Sequence, residues 1–211
     1  MNEILIQLGE NLQKGRAKVV GELVTQALAD GIDANEILQS LLSGMDIVAE
    51  KFKNNEVYVP EVLIAARAMN TGTQLLKPHL DNAASTIGKA IVGTVKGDLH
   101  DIGKNLVRMM FEGKGIEVID LGTNVSAEAF VDAVREHKPQ VLALSALLTT
   151  TMGEMATIVQ ALKTAELRDE VFVMVGGAPV TEHFCQEIGA DAYAADAANA
   201  ADMAKAAILG K

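Results

Sequence analysis

Asp98 and His100 lie one residue apart in Gly97-Asp98-Leu99-His100-Asp101-Ile102-Gly103-Lys104-Asn105. Imidazole is the commonest metal-binding side chain. A carboxylate two residues earlier can hold one ring nitrogen while the other binds a metal, which fixes the tautomer and raises the basicity of the ligand. The apolar run Ala90-Ile91-Val92-Gly93-Thr94-Val95 before the motif reads as a buried strand, and Leu106 to Phe111 after it read as a helix. The histidine is therefore expected on the loop at the carboxyl end of a strand, where open parallel sheets bind ligands. Taken alone, Asp-x-His-x-x-Gly is a weak signal and is better read as a structural loop histidine.

Two further blocks change that weighting. Ser145-Ala146-Leu147 ends the apolar run Val141 to Leu144, and Gly176-Gly177 ends the run Val171 to Val175. Residues 104–144 separate the first block from the second, and residues 148–175 separate the second from the third. The three blocks in this order and spacing resemble the cobalamin-binding signature of the methionine synthase type. The full run from Gly97 to Asn105 resembles the methyltransferase branch of the corrinoid proteins, and the likeness extends over nearly the whole chain.

That resemblance implies a cobalamin bound base-off, as methylcobalamin or another corrinoid, with His100 as the lower axial ligand of cobalt. Imidazole suits such a borderline transition metal. Asp98 would accept from the other ring nitrogen, and Thr151, where methionine synthases have Ser, would extend the relay to a hydroxyl. Coupling the protonation of this pair to ligation would link the states of the metal. Gly97, Leu99, Asp101, Ile102 and Gly103 would line the cofactor with them. Ser145 would bond the displaced benzimidazole, supported by Thr149. Leu147, Gly176, Gly177 and Ala197 would complete the tail pocket. In the helical segment, Phe52 and Val59, the latter followed by Pro60, match a cap that shields the upper face from water.

The elements that must position these residues follow from periodicity. Residues 1 to about 80 carry apolar side chains at helical spacing: Val20, Leu23, Val24, Ala27 and Leu28; Ile37, Leu41, Met45, Val48 and Phe52; Val62, Leu63, Ala66, Met69, Thr73 and Leu76. Asp33 with Glu36 suggests a capping box, and Pro60 suits a first helical turn. The expectation is an antiparallel four-helix bundle over residues 1–84. Pro78 to Gly88 reads as a linker and hinge. Beyond it, strands near 90–95, 116–120, 140–145, 171–175 and 191–194 alternate with helices near 103–113, 127–137, 152–165, 180–188 and 197–209. Over residues 88–211 that alternation predicts a five-stranded parallel, flavodoxin-like (Rossmann-like) α/β domain.

The chain has 211 residues, 49% hydrophobic and 22% charged, which describes a globular protein. A net charge of −10 with scattered Lys and Arg argues against nucleic acid as a partner. No run is long and apolar enough for a membrane span. The N-terminus shows no export signal, and Cys185 is alone, so the expected compartment is the cytoplasm. Cys185 reads as a buried small hydrophobe, and His79, His137 and His183 read as surface residues without metal-ligand spacing.

The resemblance implies a methyl shuttle rather than a complete enzyme. Cobalt would take a methyl group from a substrate-specific methyltransferase and pass it to a second methyltransferase acting on tetrahydrofolate or a thiol such as coenzyme M. A reductive activator would keep the system primed. The donor could be a methylamine, methanol, a methoxyarene or a betaine. A cobalamin-dependent sensor is the alternative, although the chain has no Trp for a light-sensing cap. A mutase subunit and a cofactor-free flavodoxin-like module fit less of the pattern.

Overall fold

The computed structural model describes residues 2–80 and 86–210. Backbone contacts divide the chain into two compact units, Met1–Thr86 with Gly113–Gly115, and Ile87–Glu112 with Ile116–Lys211. The expected linker begins in a short 3-10 turn at Lys77–His79 and ends where the first strand starts at Gly88. Its middle, residues 81–85, lies outside the described residues.

The first unit contains four helices, α1 (Glu3–Gln13), α2 (Ala17–Ala29), α3 (Ala34–Lys53) and α4 (Val59–Leu76), joined by short turns, with α3 packed on α1 and α4 on α2 and α3. Asp33 caps α3, accepting from the Asn35 amide at 2.9 Å rather than from the third helical position expected of a capping box. Pro60 sits in the first turn of α4, where a missing N–H costs nothing. The core contains Leu8, Leu12, Val20, Val24, Ile37, Leu41, Met45, Val62 and Leu76. One expected core position differs, since Leu63 is 40% exposed. The inward face of α4 instead carries Ala65, Ala68 and Gly72. A Cβ on Gly72 would stand 2.7 Å from the Leu41 side chain, so small residues set the close approach of α4 to α3.

The second unit is a parallel sheet of β1 (Gly88–Thr94), β2 (Ile116–Asp120), β3 (Val141–Ser145), β4 (Phe172–Gly176) and β5 (Ala192–Ala194), in the order β2-β1-β3-β4-β5. The connecting helices are α5 (Ile102–Gly113), α6 (Ala127–His137), α7 (Gly153–Thr164) and α8 (Glu182–Ile188), and α9 (Ala197–Leu209) closes the chain. Buried on both faces, β1 reads as a continuous apolar run rather than an alternating one. Phe130 of α6 packs where a Cβ on Gly93 would fall 2.6 Å from its ring. Strand order reverses between β1 and β3, the position at which open parallel sheets bind ligands outside their carboxyl ends. The loops after these two strands hold the first two sequence blocks.

Candidate functional site: a buried aspartate behind a half-exposed histidine

The loop between β1 and α5 turns at Gly97, whose φ of +81° is open to glycine at little cost. Asp98 then folds inward and is fully buried. Its Oδ1 accepts from the His100 amide at 3.0 Å, the local turn that an aspartate makes with the backbone two residues on. The same oxygen lies 2.7 Å from His100 Nδ1. From the segment after β3, Oδ2 accepts from the Leu147 amide at 2.8 Å, the Leu148 amide at 3.3 Å and Thr151 Oγ1 at 2.9 Å. Burial pushes the acidity of Asp98 toward the neutral form. The bonds from the His100 and Leu147 amides, the His100 ring and the Thr151 hydroxyl outweigh it and hold the carboxyl well below the ordinary aspartate value. The carboxylate is therefore ionised and only accepts, so Nδ1 carries the proton. That leaves the lone pair of His100 Nε2 without a hydrogen bond to any described residue, on a side chain that is 51% exposed.

The other predicted residues gather at the same edge of the sheet. Strand register places Thr94, Ser145, Gly176 and Ala194 side by side in the last rung of β1, β3, β4 and β5. Four small residues in one row leave room above the sheet. The Ser145 hydroxyl makes no hydrogen bond within the described residues, although its carbonyl accepts from the Val95 amide. A Cβ on Gly103 would meet nothing within 4 Å, so that position borders open space. Gly177 is required for a different reason: at φ +131° a Cβ would stand 1.9 Å from the Ala146 carbonyl oxygen. Leu99 and Ile102 are 74% and 77% exposed, an apolar rim of the kind that marks a binding surface. Asp101 is exposed and accepts from the Asn105 side chain at 3.0 Å. Thr149 is exposed in the turn after β3, and Ala197 is buried at the start of α9, just past β5. Phe52 lies in the last turn of α3 and Val59 begins α4, so both lie near the 54–58 turn of the helical unit, and both are half-buried.

Two supporting residues carry no signal in a linear reading, and a third lies in the motif run with nothing to mark its partner. Thr94 looks like strand filler, yet its hydroxyl donates to the His100 carbonyl at 2.9 Å. Asn124, in the loop after β2, accepts from the Gly97 amide at 2.8 Å. Lys104, buried in the first turn of α5, donates to both oxygens of Asp120 at 2.6 Å and to Asn105 at 2.9 Å. A charge at i+4 from the histidine could have suggested an anchor, but not its partner. Cys185 is buried, and burial, Glu182 and Asp191 all raise its thiol above the usual range. His79 and His183 are exposed and His137 is half-buried.

No cluster of three His, Cys, Asp or Glu side chains among the described residues could hold a metal alone. His100 offers one imidazole nitrogen, which suits a metal already held in a macrocycle and needing one axial donor. The open space at Gly103, the exposed Leu99 and Ile102, the row of small residues and the unpaired Ser145 hydroxyl fit the rest of such a group.

Comparisons with known proteins agree with this geometry. Residues 88–203 match a family model described as a B12 binding domain, and residues 5–77 match a second B12 binding domain model. The trimethylamine corrinoid protein of Methanosarcina barkeri is 41% identical over 210 residues, covering 98% of this chain and 97% of that protein. A cobalamin-binding protein from Desulfitobacterium hafniense DCB-2 superposes with a TM-score of 0.81 at 33% identity, covering 96% of this chain and 98% of that one. The methanol:cobalamin methyltransferase complex MtaBC from Methanosarcina barkeri includes a chain with a TM-score of 0.90 at 29% identity, covering 100% of this chain and 81% of that one. The helical unit, the parallel sheet and the histidine loop at its switch point thus occur together in a chain that belongs to the B12-binding corrinoid proteins.

Proposed function

We propose that this protein is a methyl-carrying corrinoid subunit that holds cobalamin through His100 in the base-off form. One observation carries the reading: a fully buried, ionised Asp98 holds Nδ1–H of a half-exposed histidine and leaves the Nε2 lone pair open to a metal. When bound, the corrinoid supplies a cobalt centre that accepts a methyl group in its reduced state and yields it to a nucleophile.

The chain's own residues do the rest. Asp98 orients the ring and favours the proton on Nδ1, and Thr151 and the Leu147 and Leu148 amides keep the carboxylate charged. Ser145 offers its hydroxyl to the buried tail, and Gly176 and Ala194 leave space beside it. Gly97, Leu99 and Asp101 in the loop after β1, with Ile102 and Gly103 in the first turn of α5, would hold the corrinoid, and Leu147, Thr149, Gly177 and Ala197 would line its tail. Phe52 and Val59 are the residues of the helical unit that the family resemblance assigns to a water-excluding cap. Domain boundaries of 1–84 and 88–211 go with this reading.

The natural partner is a methyltransferase specific for the methyl donor, with a second methyltransferase acting on tetrahydrofolate or coenzyme M and a reductive activator. Similarity to the trimethylamine corrinoid protein makes a methylamine the first donor to try. Donor choice would reside in the partner. No helix among the described residues is long and apolar enough to cross a membrane, which suits work in the cytoplasm.

The test is reconstitution with hydroxocobalamin, desalting, and electron paramagnetic resonance of the cobalt(II) form. The expected spectrum has superhyperfine splitting from a single protein nitrogen. His100→Ala is expected to remain folded and lose that splitting. Failure of the wild-type protein to retain corrinoid, or splitting that survives in H100A, would refute the assignment.

A further inference from the structure

Two residues outside the three motif blocks hold the back of the histidine loop. Thr94, the last residue of β1, is fully buried, and its Oγ1 donates to the His100 carbonyl at 2.9 Å. Asn124 stands at φ +56°, a conformation asparagine tolerates. Its Oδ1 accepts from the Gly97 amide at 2.8 Å, and its own amide donates to the Asp98 carbonyl at 3.0 Å. The two anchors are themselves tied together. The Thr94 amide donates to Gly122, and the Val125 amide donates to Thr94, at 2.9 and 3.0 Å.

His100 is consequently held on both sides of its Cα, through its amide by Asp98 and through its carbonyl by Thr94. What freedom remains is rotation about χ1 and χ2 of a ring that is half in solvent. We propose that Thr94 and Asn124 are positioning residues that fix the His100 main chain, so that axial ligation is made and broken by side-chain rotation on a stationary loop. The inference rests on the reading of His100 as the axial ligand. Both act through the loop, since their side-chain hydrogen bonds go to its main chain.

Four variants separate this role from general stability. Thr94→Val removes the hydroxyl while keeping the shape, and Thr94→Ser restores the donor. Asn124→Gly keeps the positive φ accessible and removes the acceptor, and Asn124→Asp restores it. Each protein is loaded with hydroxocobalamin, reduced to cobalt(II) and titrated with 15N-imidazole. A protein nitrogen gives a triplet and the external ligand a doublet, so the spectrum reads displacement of His100 directly. One neutral hydrogen bond contributes about 1 kcal/mol, or roughly fivefold in an equilibrium. The imidazole concentration for half displacement is therefore expected to fall about fivefold in T94V and N124G. It is expected to return to near the wild-type value in T94S and N124D. In the cofactor-free protein, amide exchange at Gly97 and His100 is expected to quicken in the first pair only.

Wild-type midpoints and exchange rates in both T94V and N124G would overturn the proposal. So would equal losses in T94S and T94V, which would assign the effect to packing. A wild-type spectrum with no protein triplet would remove the ligand assignment first, and this inference with it. A triplet present in the wild type and unmoved in the variants would overturn this inference alone.

Discussion

Replacing Asp98 by Asn changes one atom of a buried group, and the hydrogen bonds around it determine the outcome. The carboxylate accepts from five donors: the His100 amide and ring on Oδ1, and the Leu147 amide, Leu148 amide and Thr151 hydroxyl on Oδ2. An asparagine must put an NH2 group on one side. Facing β3, it would oppose two backbone N–H groups that cannot turn. Thr151 could adapt, because its hydroxyl also lies 3.0 Å from the Leu148 carbonyl. Facing His100, the NH2 group opposes one backbone N–H, and the ring can respond by moving its proton from Nδ1 to Nε2. The second arrangement leaves fewer donors unpaired and is the one expected. An unsatisfied buried N–H costs about 1–3 kcal/mol, and the remaining bonds fall from charged to neutral strength. The sum is about 3 kcal/mol, or roughly 10 °C in the melting temperature of a domain this size. The tautomer change also occupies Nε2, so axial ligation should disappear although His100 is still present. His100→Ala is the contrast, because water can replace a half-exposed ring and the cost should stay below about 1 kcal/mol. Calorimetry of the cofactor-free proteins and cobalt(II) spectra of the loaded ones read the two effects separately. A D98N protein that melts within about 2 °C of wild type and retains the nitrogen triplet would refute the argument that the buried carboxylate sets the tautomer.

Other perturbations test neighbouring parts of the site. Because the Asp98 pKa is depressed on folding, its stabilisation is present above the ordinary value of 3.8 and is lost as the pH falls below it toward the lower folded value. Acid unfolding of wild type should therefore steepen below about pH 4, and D98N should lack that component in a pH series of thermal melts. Gly177→Ala places a Cβ 1.9 Å from the Ala146 carbonyl oxygen. It should destabilise by about 2–3 kcal/mol and quicken exchange of the Leu147 amide that holds Asp98. Gly103→Ala meets nothing within 4 Å and lies inside α5. Melting should stay level or rise by up to about 1 kcal/mol equivalent, while corrinoid retention on desalting falls, because the added methyl enters the space assigned to the cofactor.

The alternation of apolar runs with helical periods was enough to locate the five strands and the helices between them, because both periods are local properties of the backbone. The pairing of Asp98 with His100 was legible for the same reason. Residues i and i+2 on one tight loop have few ways to face each other, and an aspartate bonding the amide two positions on is a local turn. The three motif blocks were legible as a set through the resemblance of their order and spacing to the cobalamin-binding signature, and the parallel strands that each ends or follows bring them to one edge of the sheet.

What the chain order concealed lies across that edge. The amides of Leu147 and Leu148 that hold Asp98 are backbone atoms and have no sequence signal. Thr94 and Ser145 become neighbours only through the β1–β3 register. Asn124 reaches Gly97 because β2 lies beside β1, and nothing local marks it. Leu63 has the right period for the core and lies outside it, since close packing onto α3 selects alanine and glycine. Gly177 is a glycine because of the Ala146 carbonyl, a contact made by residues thirty-one positions apart. Local order thus set which residue types meet on each loop. The parallel register decided which loops meet, because it alone determines the distances between groups remote in the chain.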